Sequence, residues 1–237
     1  MTRTLIVTPV QKEYNALTKY LISEGYIAET LGMKTDCSLF QNLGVMVAVG
    51  GIGKAQFAVT TQYLIHTCGP FSLVITAGTA GALKSDLHPG DVILGTETVE
   101  HDYKERLDGN TPTPRHAGSA NARASIERVH RRSASVRLHI GPIASGDEDI
   151  VDAARAMELR QQTNALCVAW EGAGGARAAR FNGIPFLEIR AISDAADKNA
   201  LDSYRVHLPD AVKNIGRLLL PWLCDQLKNY DKLPNSI

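Results

Sequence analysis

Cysteine is scarce and nowhere paired in sequence. Cys37, Cys68, Cys167 and Cys224 are scattered over 237 residues with no C-x-x-C among them. That spacing argues against zinc modules and dithiol redox chemistry; buried structural thiols in a reducing cytoplasm are expected instead. An excess of either charge is also missing, since Lys plus Arg equals Asp plus Glu at 25 each. Nothing in that balance advertises nucleic acid or an anionic membrane as partner. Long apolar runs are absent too. The N-terminal MTRTLIVTPV is broken by threonine and proline, too short for a signal-peptide core or a bilayer span. Repeats, low-complexity linkers and compositional breaks are lacking, so one domain over 1–237 is expected. What remains is a chain 44% hydrophobic and 21% charged, ordinary for a protein with a sizeable core.

Short β-branched runs at 4–8, 45–50, 73–78, 91–96, 138–145, 165–170 and 186–192 read as strands. Those such as LVIT and FLEI do not alternate apolar with polar, so both faces should be covered. Helical spacing marks 11–24, 54–67, 121–132, 150–162, 172–182 and 208–228. The alternation argues for an α/β fold with helices on both faces of a mainly parallel sheet. The longest irregular segment is 103–120, of a length usually given to lids, partner-contacting arms or disorder. The arginines that follow it, Arg123, Arg128, Arg131, Arg132 and Arg137, read as a solvated helix face, with a substrate-facing patch as the alternative.

Three glycine-rich stretches sit at strand ends. GGIGKA (50–55) fails as a phosphate loop, because Lys54 is followed by Ala55, and fails as a dinucleotide fingerprint, leaving a tight strand-to-helix turn. AGTAGAL (77–83) places Thr79 and Gly81 where a ligand can approach the backbone. EGAGGARAAR (171–180) opens a helix behind Glu171, and its glycines serve either a ligand or close helix–sheet packing.

Residues 186–197 read FLEIRAISDAAD, an apolar strand running into Arg190, Ser193 and Asp194. A charge removed from water is costly unless paired or used, so this position asks for a functional explanation. Asp194 could alternatively cap a following helix. In an open α/β sheet, ligands bind at the carboxyl ends of strands, where Thr79, Glu171, Arg190 and Asp194 all fall.

Together, LIVTPVQKEYNAL (5–17), GGIGKAQ (50–56), VITAGTAGALKSDLHPGDV (74–92), IASGDEDI (143–150) and VAWEGAGGARAARFNGIPFLEIRAISDAAD (168–197) resemble the nucleoside phosphorylase/nucleosidase superfamily. The similarity is strongest to its 5'-methylthioadenosine/S-adenosylhomocysteine nucleosidase branch. The resemblance implies a single three-layer α/β domain whose twisted, partly barrel-like mixed sheet is flanked by helices. It implies hydrolysis of an adenosine-type N-glycosidic bond, releasing adenine and a 5'-modified ribose, without cofactor or metal. A cytoplasmic homodimer is implied, with residues 103–116 near the partner's site, and a nucleoside as the small-molecule partner.

By the same resemblance Asp194 matches the general acid toward purine N7, oriented by Ser193. Glu13 matches the base that activates water, with Arg190 orienting that water and Thr79 supplying a hydroxyl. Glu171 matches the carboxylate that takes the ribose 2'- and 3'-hydroxyls, a bidentate acceptor. Ile150 offers backbone contacts and Tyr204 caps the 5' substituent. The match departs in two places. Ala169 and Trp170 stand where the branch has glutamate and methionine, so Trp170 would cover the ribose. Asp149 stands where an aromatic stacks on adenine.

The phosphorylases of the superfamily use arginines near the first glycine turn and before G-[ST]-x-G. TPVQKEY and ITA have none, so water is the expected nucleophile. Phosphorolysis, a futalosine-type or adenosyl-lipid substrate, and a non-catalytic nucleoside binder are the alternatives.

Overall fold

The β-branched runs become strands because alternate side chains find cover on opposite sides. In β1 (Arg3–Thr8), Leu5 and Val7 pack with Phe57, Leu64 and Phe186, while Ile6 joins Leu17, Leu21, Ile215 and Leu219. The computed structural model describes residues 3–104 and 112–230. In chain order the described elements are β1, α1 (Gln11–Ser23), β2 (Glu29–Leu31), β3 (Cys37–Phe40), β4 (Val45–Val49) and α2 (Lys54–Cys68). They continue with β5 (Phe71–Ala82), β6 (Val92–Glu100), β7 (Arg115–Ala117), α3 (Ala120–Ser133), β8 (Leu138–Ser145) and α4 (Ala153–Thr163). β9 (Cys167–Ala169), α5 (Gly172–Phe181), β10 (Phe186–Asp194) and α6 (Ala200–Tyr230) complete the order.

One sheet holds the ten described strands in the order β10-β6-β8-β9-β5-β1-β4-β3-β2, with β7 on β6. β10 also pairs with β5, which closes β10, β6, β8, β9 and β5 into a barrel. From β5 the sheet runs outward through β1 and β4 to β3 and β2. The sheet is mixed rather than mainly parallel. β10–β6, β5–β9, β3–β4, β2–β3 and β6–β7 are all antiparallel.

The segment of greatest length without expected structure contains a strand after all, β7, hydrogen-bonded to β6. α6 starts at Ala200 instead of 208 and carries Pro209 and Pro221 inside it. An interior proline costs roughly 3 kcal/mol. Burial of Leu208, Val212, Ile215, Leu219, Trp222 and Leu223 against the sheet and α1 opposes that cost.

α4 begins at Ala153, because Asp152 Oδ1 accepts from the amides of Ala154 and Arg155. That cap leaves Ile150 and Val151 outside the helix. α3 carries Arg128, Arg131 and Arg132 outward, next to Glu127 and Asp225, as a solvated face. All four cysteines are free. Cys37 and Cys167 are buried, whereas Cys68 and Cys224 are only partly so, which corrects the expectation of four buried thiols. Among the described residues no helix is long and apolar enough to cross a membrane.

Candidate active site

A cavity of about 460 Å3 opens at the carboxyl ends of β5, β9 and β10, between the start of α1, the β8–α4 loop and the start of α6. It collects the residues named above for the ligand crevice and the nucleosidase resemblance, Glu13, Thr79, Gly81, Asp149, Ile150, Trp170, Glu171, Arg190, Ser193, Asp194 and Tyr204, and none of the arginines Arg123, Arg128, Arg131, Arg132 and Arg137.

Glu13 lies in the first turn of α1 and is 2% exposed. Its Oε1 accepts from both the amide and the hydroxyl of Thr79, each at 2.7 Å, and Oε2 accepts from the Val10 amide at 3.3 Å. Burial pushes its pKa up, opposed by the Thr79 donors and by the charge of Arg190.

Arg190 points from β10 into the same space and is 1% exposed. Its Nε donates to Glu188 Oε1 at 2.8 Å, its Nη2 to Glu171 Oε2 at 3.3 Å and its Nη1 to the Thr79 carbonyl at 3.3 Å. A buried guanidinium held on three sides in this way is paired rather than stranded. The backbone of β5 makes room for it at Gly78, where a Cβ would lie 2.9 Å from Arg190 Nη1 and 3.0 Å from Glu13 Oε1.

Glu171 follows β9 at the N-cap of α5, where the helix dipole favours negative charge. Burial nevertheless raises its pKa; Arg190 opposes that rise and Glu13 adds to it. Asp194 ends β10. Its Oδ2 accepts from Ser193 Oγ at 2.8 Å and its Oδ1 from the Ala196 amide at 2.9 Å. Its pKa too is raised by burial, against those two donors. With α6 beginning at Ala200, Asp194 closes a short turn and does not cap the helix. Tyr204 enters from α6 with its phenol pushed up to about 12, by burial first and then by Glu13, Glu171 and Asp194.

Ser145 Oγ donates to the Trp170 carbonyl at 2.7 Å and accepts from the Ala173 amide at 2.9 Å, tying the β9–α5 turn to β8. The rim is apolar: Ile52, Val151 and Leu201 line the cavity while remaining more than half exposed, at 60%, 54% and 59%. Sequence reasoning missed all three, because single exposed aliphatics carry no signal on their own.

It also missed Glu188, which lies behind Arg190 on β10, 1% exposed, with Thr98 donating to its second oxygen. A signal was there. Positions two apart on a strand share a face, so a glutamate two residues before a buried arginine is a candidate partner.

The glycines of α5 serve packing. A Cβ at Gly172, Gly174 or Gly175 would run into the Glu188 carboxylate, the Lys54 carbonyl or Thr76 Oγ1. The GGIGKA turn does lead from β4 into α2, with Gly51 and Gly53 at φ 94° and 82°. Its lysine turns away to Glu100 and Asp102, at 2.9 and 2.5 Å. Among the described residues no His, Cys, Asp and Glu cluster could hold a metal ion.

Residues 3–223 match the model of the family described as the phosphorylase superfamily. The chain belongs to that superfamily. It is 31% identical over 183 residues to the 5'-methylthioadenosine/S-adenosylhomocysteine nucleosidase of Geobacillus sp. (strain WCH70), covering 74% of this chain and 78% of the relative. Among solved structures, futalosine hydrolase of Helicobacter pylori superposes with a TM-score of 0.84 at 25% identity, covering 94% and 98% of the two chains. The 5'-methylthioadenosine/S-adenosylhomocysteine nucleosidase of Neisseria meningitidis, in complex with methylthio-immucillin-A, superposes with a TM-score of 0.82 at 27% identity, covering 95% and 100%. The barrel-like mixed sheet is thus the superfamily's architecture.

Proposed function

We propose that this protein is a nucleosidase that hydrolyses the N-glycosidic bond of 5'-substituted adenosines, releasing adenine and a 5'-modified ribose. One observation carries the reading. Two acids, Glu13 buried and Asp194 partly buried, meet the same strand at two glycines, Glu13 at Gly78 and Asp194 at Gly81, and both line the cavity. Arg190 and Glu171 line the space between.

In this reading Asp194, whose pKa is raised by partial burial, gives its proton to N7 of the purine as the C1'–N9 bond breaks. Water forms the new C1'–O bond and passes a proton to Glu13, whose Thr79 contacts fix its direction. Glu171 accepts from the ribose hydroxyls and Arg190 steadies the water. Both acids act on charge that develops only in the transition state, which is what raises the rate. Trp170 covers the ribose, Ile150 and Asp149 flank the base, and Tyr204 with the apolar rim meets the 5' substituent.

Water is the better nucleophile than phosphate. Among the described residues Arg190 is the one basic side chain lining the cavity, and it already serves Glu188 and Glu171. An incoming dianion would find no free cation there.

The same reading takes 1–237 as one domain acting as a cytoplasmic homodimer in methionine salvage, with 103–116 near the partner's cavity. Residues 105–111 of that stretch lie outside the described residues.

The test is release of free base from a panel of 5'-substituted adenosines and inosine, with and without phosphate. Adenine release that phosphate does not change is expected. Release of ribose 1-phosphate would make the protein a phosphorylase, and no release from any substrate would make it a binder.

A further inference from the structure

We propose that Glu188, which no cavity-lining role explains, is a positioning residue: it holds the Arg190 guanidinium against Glu171 and Thr79 and sets how much of its positive charge reaches the acids of the cavity. This rests on the hydrolytic reading above.

Glu188 is 1% exposed, does not line the cavity, and uses both carboxylate oxygens. Oε1 takes Arg190 Nε at 2.8 Å, the shortest of that side chain's contacts, and Oε2 takes the Thr98 hydroxyl. A neighbouring element gives up a side chain to admit it: a Cβ at Gly172 on α5 would run into the Glu188 carboxylate. A buried acid is a costly way to fill a core. Here the carboxylate takes the Nε edge of the guanidinium, leaving Nη1 and Nη2 for Thr79 and Glu171.

The charged and titratable groups around the pair come from several elements. Glu13 approaches from α1, Cys167 from β9 and Glu171 from the head of α5, while Asp194 on β10 and Tyr204 on α6 line the same cavity as Arg190. Three carboxylates, of Glu13, Glu171 and Glu188, therefore share one guanidinium.

Removing the charge of Glu188 leaves Arg190 acting more strongly on the other two. Glu13 and Glu171, both held high by burial, then ionise more easily, and their pKa values fall. A core-filling role would change stability and leave those titrations where they are.

The experiment compares wild type with Glu188→Gln, which keeps the volume and an acceptor for Nε. With a 5'-substituted adenosine as substrate, the acid limb of kcat/KM should move down by at least about half a pH unit, given charges this close and dry. Turnover should drop at least about fivefold, as for a lost orienting contact. In parallel, side-chain 13C resonances of the glutamates are titrated in the protein without substrate, where the Glu13 and Glu171 midpoints should fall by a similar amount.

Midpoints that stay put overturn the proposal, even where turnover drops. A wild type that releases no base sinks the hydrolytic reading alone, because the substrate-free titration still judges Glu188. If Glu188→Gln does not fold, Thr98→Val serves, since it removes only the hydroxyl that anchors Oε2. A folded Thr98→Val with wild-type kcat would overturn the proposal equally.

Discussion

Thr79 meets Glu13 twice, its amide and its hydroxyl both donating to the same carboxylate oxygen at 2.7 Å. The first turn of α1 and the far end of β5 are joined at that oxygen. The other oxygen of Glu13 accepts only from the Val10 amide at 3.3 Å, a longer contact, and is the better placed to take a proton. Donors to an ionised carboxylate lower its pKa, so Thr79 keeps the burial-raised value of Glu13 in check.

Thr79→Val removes one of those donors and leaves the amide. The Glu13 pKa should rise further, and the acid limb of kcat/KM, which reports ionisation of the base, should move to higher pH. At pH 6 turnover should fall by about tenfold, in the range for a perturbed acid–base group. A pH–rate profile checks this; an unmoved limb would separate Thr79 from the control of Glu13.

Asp194→Asn tests the other side of the bond. Asparagine keeps the size, and its one carbonyl oxygen can still accept from the Ala196 amide while its NH2 faces the Ser193 hydroxyl, but it cannot give up a proton in the same way. Turnover should drop by at least about two orders of magnitude, with the alkaline limb lost. In wild type that limb comes from deprotonation of Asp194, whose pKa burial has raised. Near-normal turnover in the variant would remove Asp194 from the role of acid.

The cavity was legible because its residues are local and chemically marked. Arg190, Ser193 and Asp194 break a buried strand, and Thr79 and Gly81 sit among small residues at a strand end. The closure of the barrel was not legible from periodicity, since the pairing of β10 with β5 joins segments about a hundred positions apart and leaves no local pattern. β2, β3 and β7 are only three or four residues long, too short to display a period of two. The start of α6 was hidden by Pro209, a residue that favours the first turn of a helix yet here lies inside one. Glu188 escaped notice because an acid inside FLEI looks like a flaw in an apolar run until Arg190, Thr98 and Gly172 are seen around it.

Gly174→Ala sets helix propensity against packing. By propensity alone, alanine in a helix interior should stabilise by about 1 kcal/mol. At this position its Cβ would come 2.3 Å from the Lys54 carbonyl of α2, a backbone atom that cannot swing aside. Overpacking of this kind costs about 1–3 kcal/mol. The clash should win, and thermal unfolding should show a lower Tm than wild type. A higher Tm would mean that α2 and α5 can part freely.

Glu13→Gln should make the protein more stable while disabling it. The amide oxygen of glutamine can still accept from both Thr79 donors, while its NH2 takes the place of the oxygen that accepted from the Val10 amide, so that longer contact is given up together with the buried charge. Because the folded state holds the Glu13 proton more tightly than the unfolded chain does, ionising it opposes folding. That penalty is absent well below the unfolded carboxylate value of about 4.3 and grows as pH rises toward the higher folded value. The Tm of Glu13→Gln should therefore gain steadily on wild type as pH rises from about 3 to about 7, and stop gaining once Glu13 is fully ionised in the native protein. Turnover should fall by at least about a hundredfold, since glutamine cannot take a proton from water. Parallel melting curves across that pH range with full turnover would show that the Glu13 carboxylate neither strains the fold nor activates water.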